Sequence, residues 1–218
     1  FGVVETDVRD RVTRFLEKPS FGETTSNWIN GGVYIIEPHI LKYIPLNEYY
    51  MFERALFPEL LRLGEPIYGF KSDPYWIDIG TPSNYLKVNG DLLSRRDNIT
   101  LINASALGHK SSTIAQTSEV SDFALLDKGC IVGAHAKIQG LSVLGKGCKI
   151  GIGAIVDSSI LWENVVIGDW AVLRDCIIGS GVQIGTGATL GSGSIVADNF
   201  IVDDGTDIAP GTLMGDST

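Results

Sequence analysis

The apolar positions of this chain follow two different rules. Up to about residue 98 they mark strands and helices of ordinary kind. FGVVETD and RVTRFLEK are β-rich runs around the polar break VRD, which predicts a hairpin. NGGVYIIEP predicts a third strand, ended by Pro38. In FERALFPELLRL, Phe52, Leu56 and Leu60 fall four apart on one helical face, and Pro58 is set to kink or divide that helix. YWIDIGTP predicts a strand followed by a helix start, with Thr81 as N-cap and Pro82 at the first helical position. Tyr85, Val88 and Leu92 continue that helix, and Ser94-Arg95-Arg96 closes it. This half reads as α/β.

The second half keeps a period of six. Apolar residues stand at Ile114, Val120, Leu126, Val132, Ile138, Leu144, Ile150, Val156 and Trp162, each six after the last. The count drops to five at Ile167, returns to six at Leu173 and drops again at Ile178. It then runs in sixes through Ile184, Leu190, Val196, Val202 and Ile208. Small residues often stand four after these: Cys130, Ala136, Ser142, Cys148, Ala154, Ala171, Ala188 and Ser194. Six fits neither a helix nor a simple alternating strand. It fits short strands joined by tight turns, each strand sending one aliphatic side chain inward. A flexible Gly-rich linker would not hold an apolar position in phase. The pattern strongly resembles the hexapeptide repeat of left-handed parallel β-helices, in which three hexapeptides make one triangular coil. The handedness comes from that resemblance. The expected division is 1–98 and 99–218, with Trp162 inward and Cys130 stacked on Cys148 one coil away.

Composition narrows the partners. The net charge of −9 argues against a general nucleic-acid binder, and no apolar run approaches a bilayer span. The three cysteines form neither an even disulfide set nor a C-x-x-C pattern, which fits a reduced, cytoplasmic setting and no zinc site.

Four segments of the first half occur in a telling order: FGVV, FLEKP (15–19), SNWINGGVYIIEP (26–38) and YWIDIGTP (75–82). Together they resemble the back half of the nucleotidyltransferase domain of sugar-nucleotide pyrophosphorylases, a partial Rossmann-like α/β unit often followed by a β-helix. These enzymes join a sugar 1-phosphate to a nucleoside triphosphate and release pyrophosphate. The resemblance implies roles for individual residues. Glu17 would accept hydrogen bonds from sugar hydroxyls, and Lys18 would hold the sugar phosphate, making it both a binding and a catalytic residue. Both roles suit the groups concerned, a carboxylate acceptor and an ammonium donor. Asn30 offers a donor and an acceptor, Gly31 and Gly32 allow close backbone approach, and Gly2 would line the sugar pocket. Asp78 would be catalytic as a ligand of Mg2+, at the end of an aromatic-aliphatic strand where open α/β sheets bind their ligands. On the residues alone, EKP also reads as a surface ion pair, Asn30–Gly32 as a turn, and Asp78 as a cap towards Gly80-Thr81.

The family's glycine-rich G-x-G-T-R-L-x-P-like loop does not occur in residues 1–98. The resemblance therefore implies a chain that lacks its N-terminal, triphosphate-binding part and transfers no nucleotide alone. INGGVYIIEPHILKYIP and the E-x-x-x-FP segment of FERALFP most resemble the mannose-1-phosphate guanylyltransferase branch, which makes GDP-mannose. Glucose-1-phosphate nucleotidyltransferases share nearly the same motifs. Homo-oligomerisation through the β-helix is expected. Two other classes stay open: a hexapeptide acyltransferase, with His135 or His109 as its histidine, and a non-catalytic assembly subunit.

Overall fold

The structure, a computed structural model, describes residues 2–94 and 111–215. Arg95, Arg96 and His109 lie outside these residues. The described chain divides into two compact units, Phe1–Trp76 and Ile77–Thr218.

In the first unit, β1 (Gly2–Thr6) and β2 (Val12–Glu17) form the expected antiparallel hairpin. Its turn is tied by the Asp7 carboxylate, whose Oδ1 accepts the N–H groups of Arg9 and Arg11 at 2.8 and 3.0 Å. The third strand is absent. Residues 33–36 alternate between exposed and half-buried as a strand would, but only one bridge, Val3 to Ile29, extends the hairpin on that side. The apolar pattern is present without a ladder of hydrogen bonds, and no strand forms over 75–79 either.

Pro58 divides its helix as expected. A π-helical turn covers Phe52–Leu56, and α1 (Phe57–Leu63) follows, with the proline at its start, where a missing N–H costs least. Leu56 and Leu60 point into a small core with Ile40 and Phe57, against which Phe15, Tyr34 and Phe52 pack. The Phe57 ring lies 5.3 Å from Phe15 and 5.0 Å from Tyr34, centre to centre.

The second unit is a parallel β-solenoid. Three six-stranded parallel sheets form its faces. Face I presents Thr113, Ile131, Lys149, Val166, Gln183 and Ile201 outward; face II follows it in each coil, and face III completes the coil. Val132 pairs with Ile150, eighteen residues on, and Ile150 with Ile167, seventeen on. The repeating aliphatic residues and the small residues four after them fill the interior, and none of those small residues is exposed. Each turn repeats one backbone bond to the coil below. Before face I, for example, the N–H groups of Gly147, Asn164, Gly181 and Asn199 donate to the carbonyls of Lys128, Lys146, Glu163 and Ser180.

Trp162 is a correction. Leu161 is the inward residue, 1% exposed, whereas Trp162 is 47% exposed. The shorter count falls before Leu161, because Asp157–Ser159 make a shortened turn. Ser158 adopts a left-handed conformation, and buried Ser159 takes the small inward position, its N–H donating to Ser142 Oγ at 3.3 Å. The same device recurs at Asp175–Cys176, where the Cys176 N–H donates to Ser159 Oγ at 3.0 Å. Ile160 and Leu161 are both apolar, so counting residues could not show which one turned inward.

Helix α2 (Pro82–Ser94) belongs to the solenoid unit and starts as expected, with the Asn84 and Tyr85 N–H groups donating to Thr81 Oγ1 and O at 3.3 and 2.9 Å. It lies over face III. A cavity of about 430 Å³ between them is lined by Pro82, Ser83 and Leu86 on the helix side and by Asp175, Ile177 and Ser192–Ser194 on the other. Ile160, outward on face III, is thereby buried.

Candidate functional site

The antiparallel register sets Gly2 opposite Glu17, and the Asn30 N–H donates to the Gly2 carbonyl at 2.8 Å. Gly2, Glu17 and Asn30 therefore come together at one end of the hairpin. A β-carbon on Gly2 would lie 3.0 Å from Glu17 Oε2 and 3.1 Å from the Phe15 ring. Glycine at that point leaves room for the carboxylate and the ring to fold over the strand.

Lys18 follows with φ of +50°. This left-handed residue breaks strand alternation, so the opposite directions expected of Glu17 and Lys18 along a regular strand do not apply. Lys18 is exposed, and Glu17 is half-buried.

Asn30 is held by its own side chain. Its Oδ1 accepts the Gly32 N–H at 3.2 Å, and its Nδ2 donates to Tyr34 Oη at 2.6 Å and to Glu53 Oε1 at 3.3 Å. The Tyr34 hydroxyl donates to the same Glu53 oxygen at 3.0 Å. Burial raises the Tyr34 hydroxyl above its ordinary range; the Asn30 donor lowers it, and the Glu53 and Glu17 carboxylates raise it further. It therefore stays protonated and donating. Gly32 has φ of +75° with open space where a side chain would be, and a β-carbon on Gly31 would rest 3.8 Å from the Trp76 indole nitrogen.

Tyr34 and Glu53 are absent from the sequence-derived set. Their signals were present: Glu53 opens E-x-x-x-FP, and Tyr34 stands four after Asn30. Tyr34 was hidden because NGGVYIIEP read only as a strand.

Asp78 lies in the second unit. It is exposed, not at a buried strand end, and its Oδ1 accepts the Gly80 N–H at 2.9 Å while its carbonyl accepts from Asn84 Nδ2 at 2.7 Å. The carboxylate thus supports the entry to α2. Among the described residues no three His, Cys, Asp or Glu side chains group as a metal cage. Asp78 is a single exposed carboxylate, and magnesium takes one or two carboxylates beside water and substrate phosphate.

The solenoid thiols are enclosed. Cys130, Cys148 and Cys176 are free and fully buried. The Cys130 thiol donates to the Gly145 carbonyl at 3.3 Å and the Cys148 thiol to the Trp162 carbonyl at 3.0 Å; the neighbouring Cys130 and burial drive Cys148 upward, and burial pushes Cys176 up to about 11. His135 is an exposed turn residue with φ of +59°. No helix among the described residues is long and apolar enough to cross a membrane.

Comparison with known proteins matches both units. Residues 1–95 match the family described as nucleotidyl transferase, and residues 104–208 match the EIF2B subunit epsilon LbH domain. A UTP–glucose-1-phosphate uridylyltransferase of Synechocystis is 31% identical over 82% of this chain and 47% of its own length. A mannose-1-phosphate guanylyltransferase of Mycobacterium tuberculosis is 34% identical over 80% of this chain and 44% of its own. The chain spans about half the length of these relatives. A crystal structure of a GDP-perosamine N-acetyl transferase variant from Caulobacter crescentus covers 50% of this chain and 51% of its own, with a TM-score of 0.46 and 24% identity. The chain therefore joins a sugar-nucleotide nucleotidyltransferase-like domain to a C-terminal left-handed β-helix of hexapeptide repeats.

Proposed function

We propose that residues 1–98 form the sugar-phosphate side of a nucleotidyltransferase that couples a sugar 1-phosphate to a nucleoside triphosphate and releases pyrophosphate. The observation that carries this reading is the Gly2–Glu17–Asn30–Tyr34–Glu53 cluster, with Lys18 at its edge. Glu17 accepts from sugar hydroxyls, and Asn30, oriented by Tyr34 and Glu53, supplies one more polar contact. Lys18 neutralises the phosphate and positions its oxygen for attack on the α-phosphorus. Asp78, in the second unit, would hold magnesium, whose chemistry when bound is the neutralisation of phosphate charge. A mannose 1-phosphate preference is supported by the E-x-x-x-FP segment at Glu53–Pro58 and by the 34% identity to a guanylyltransferase. The three free, buried thiols suit a reducing, cytoplasmic setting.

Isothermal titration of the chain with mannose 1-phosphate, glucose 1-phosphate and free mannose tests this. The expected order is mannose 1-phosphate first and free mannose last. Lys18→Ala should weaken phosphate-dependent binding about tenfold or more, as loss of a charge-assisted contact does. Lack of binding by any sugar 1-phosphate would refute the site, and a glucose 1-phosphate preference would refute the mannose assignment. The chain alone should release no pyrophosphate, since residues 1–98 hold no glycine-rich triphosphate loop.

A further inference from the structure

A cavity of about 850 Å³ opens at the corner before face I, walled by Trp162 on one side and by Ala197–Ile201 on the other. The walls stand two coils apart, since Leu161 pairs with Ile178 and Ile178 with Val196. That is a height of about 9–10 Å. The middle coil carries Gly179-Ser180-Gly181 at this corner, so two of its three positions send no side chain into the gap. Both glycines make room for the coil above. A β-carbon on Gly181 would stand 2.5 Å from Asn199 Oδ1, and one on Gly179 would collide with Asp198 Oδ1. Asp198 and Asn199 therefore reach down over the middle coil, towards the level of Trp162.

Two aromatic residues break the repeat here. Trp162 stands where the coils on either side carry Gly145 and Gly179. The small inward place before face I is held by Cys130, Cys148, Val165 and Val182 in successive coils, all fully buried. Phe200 takes that place in the next coil, is only half-buried, and lines the cavity. The charge beside these rings has one sign. The corner carries Glu163, Ser180 and Asp198 in the three coils that the cavity spans, and Lys146 stands one coil below Glu163. From Trp162 to Ile208 the sequence holds seven acidic residues and one basic, Arg174, so the surroundings favour a cation and oppose a phosphate.

We propose that this cavity binds a small organic cation of the alkylguanidinium class, its flat head stacked on the Trp162 indole and hydrogen-bonded to Asp198. An indole face attracts a cation, and a planar guanidinium both stacks on it and donates to a carboxylate in its own plane. Asp198 Oδ1 accepts the Ser180 N–H at 2.7 Å. Among the described residues neither Asp198 Oδ2 nor the Asn199 amide has a protein partner, which leaves two acceptor oxygens for the head group. The alkyl stem lies along Phe200 and Ile201, the latter 63% exposed. A small free molecule is the occupant, because the volume falls in the range of small-molecule sites, about 300–1,000 Å³.

Calorimetric titration of the 218-residue chain with butylguanidinium, alongside tryptophan emission, tests this. Binding with a Kd of about 1 mM or below is expected, with a change in emission that Trp162→Phe removes. Butylurea has the same flat shape without the charge, and butylammonium has the charge without the flat head; each should bind about tenfold more weakly or worse. Asp198→Asn keeps an oxygen for the Ser180 N–H, so circular dichroism should not change, yet butylguanidinium affinity should fall about tenfold or more. Trp162→Leu keeps an apolar wall without a π face and should weaken binding about fivefold. Absence of butylguanidinium binding at about ten times that concentration, equal binding of butylurea or butylammonium, or native affinity in Asp198→Asn would each overturn the proposal. Tighter binding of the peptide acetyl-Gly-Arg-Gly-amide would overturn the assignment to a small free molecule.

Discussion

At the scale of single residues, Gly2 and Cys176 make separate, checkable demands. Gly2→Ala drives a methyl group against Glu17 Oε2 and the Phe15 ring. It should cost about 1–3 kcal/mol in urea unfolding, as overpacking does, and weaken sugar 1-phosphate binding by displacing the carboxylate. Cys176 shares its inward column with Ser142, Ser159 and Ser194, all fully buried. Cys176→Ser should therefore fold normally. The thiol is raised by burial from 9.0 to about 11, so the unfolded chain gives up this proton first as pH rises. Its contribution is fully present below pH 9 and is lost as pH climbs to about 11. Thermal melts across that window should show a shallower decline for Cys176→Ser than for the unmodified chain. The Gly2–Glu17–Asn30 grouping was foreshadowed by motif order, because each motif residue lies near a strand end or turn. Tyr34 and Glu53 were not, because their roles arise only when a distant π-helical turn brings Glu53 to Asn30.

Elements were legible where one local rule governed them. The hairpin, the division at Pro58 and the Thr81 cap followed from turn chemistry and proline geometry. The strands expected at 33–36 and 75–79 failed because strand identity needs a hydrogen-bonded neighbour, which no local pattern supplies. The hexapeptide register held until two serines shortened a turn, and there the count chose Trp162 over Leu161. Another turn carries its own test. Gly153 has φ of +64°, and a β-carbon there would fall 2.2 Å from the Trp170 ring. Gly153→Ala should destabilise the solenoid by about 1–3 kcal/mol and move Trp170 off the turn. A red shift of tryptophan emission with intact circular dichroism checks it; an unchanged spectrum would show that the ring does not rest there.

At the scale of the molecule, the two compact units rest on separate cores, one around Leu56 and Leu60, the other along the solenoid axis. Leu56→Ala should cost about 2–5 kcal/mol and lower the melting of the first unit, with exchange protection in the solenoid left unchanged. Leu144→Ala should do the reverse. Hydrogen exchange read by mass spectrometry distinguishes the two. The family match to residue 95 and the packing boundary at Trp76 differ because α2 follows the first unit in sequence yet packs, half-buried, with the second.

The repeated turn bond, which ties each coil to the coil beneath it, also has a mechanical meaning. Among the described residues the solenoid's backbone bonds link neighbouring coils, so a chain pulled along the solenoid axis from its C-terminal end loads one coil at a time. It should peel one coil at a time, each rupture releasing 17 or 18 residues, or about 60 Å of slack. Single-molecule force traces would then carry a regular sawtooth, and its spacing would register the two shortened turns as slightly smaller steps.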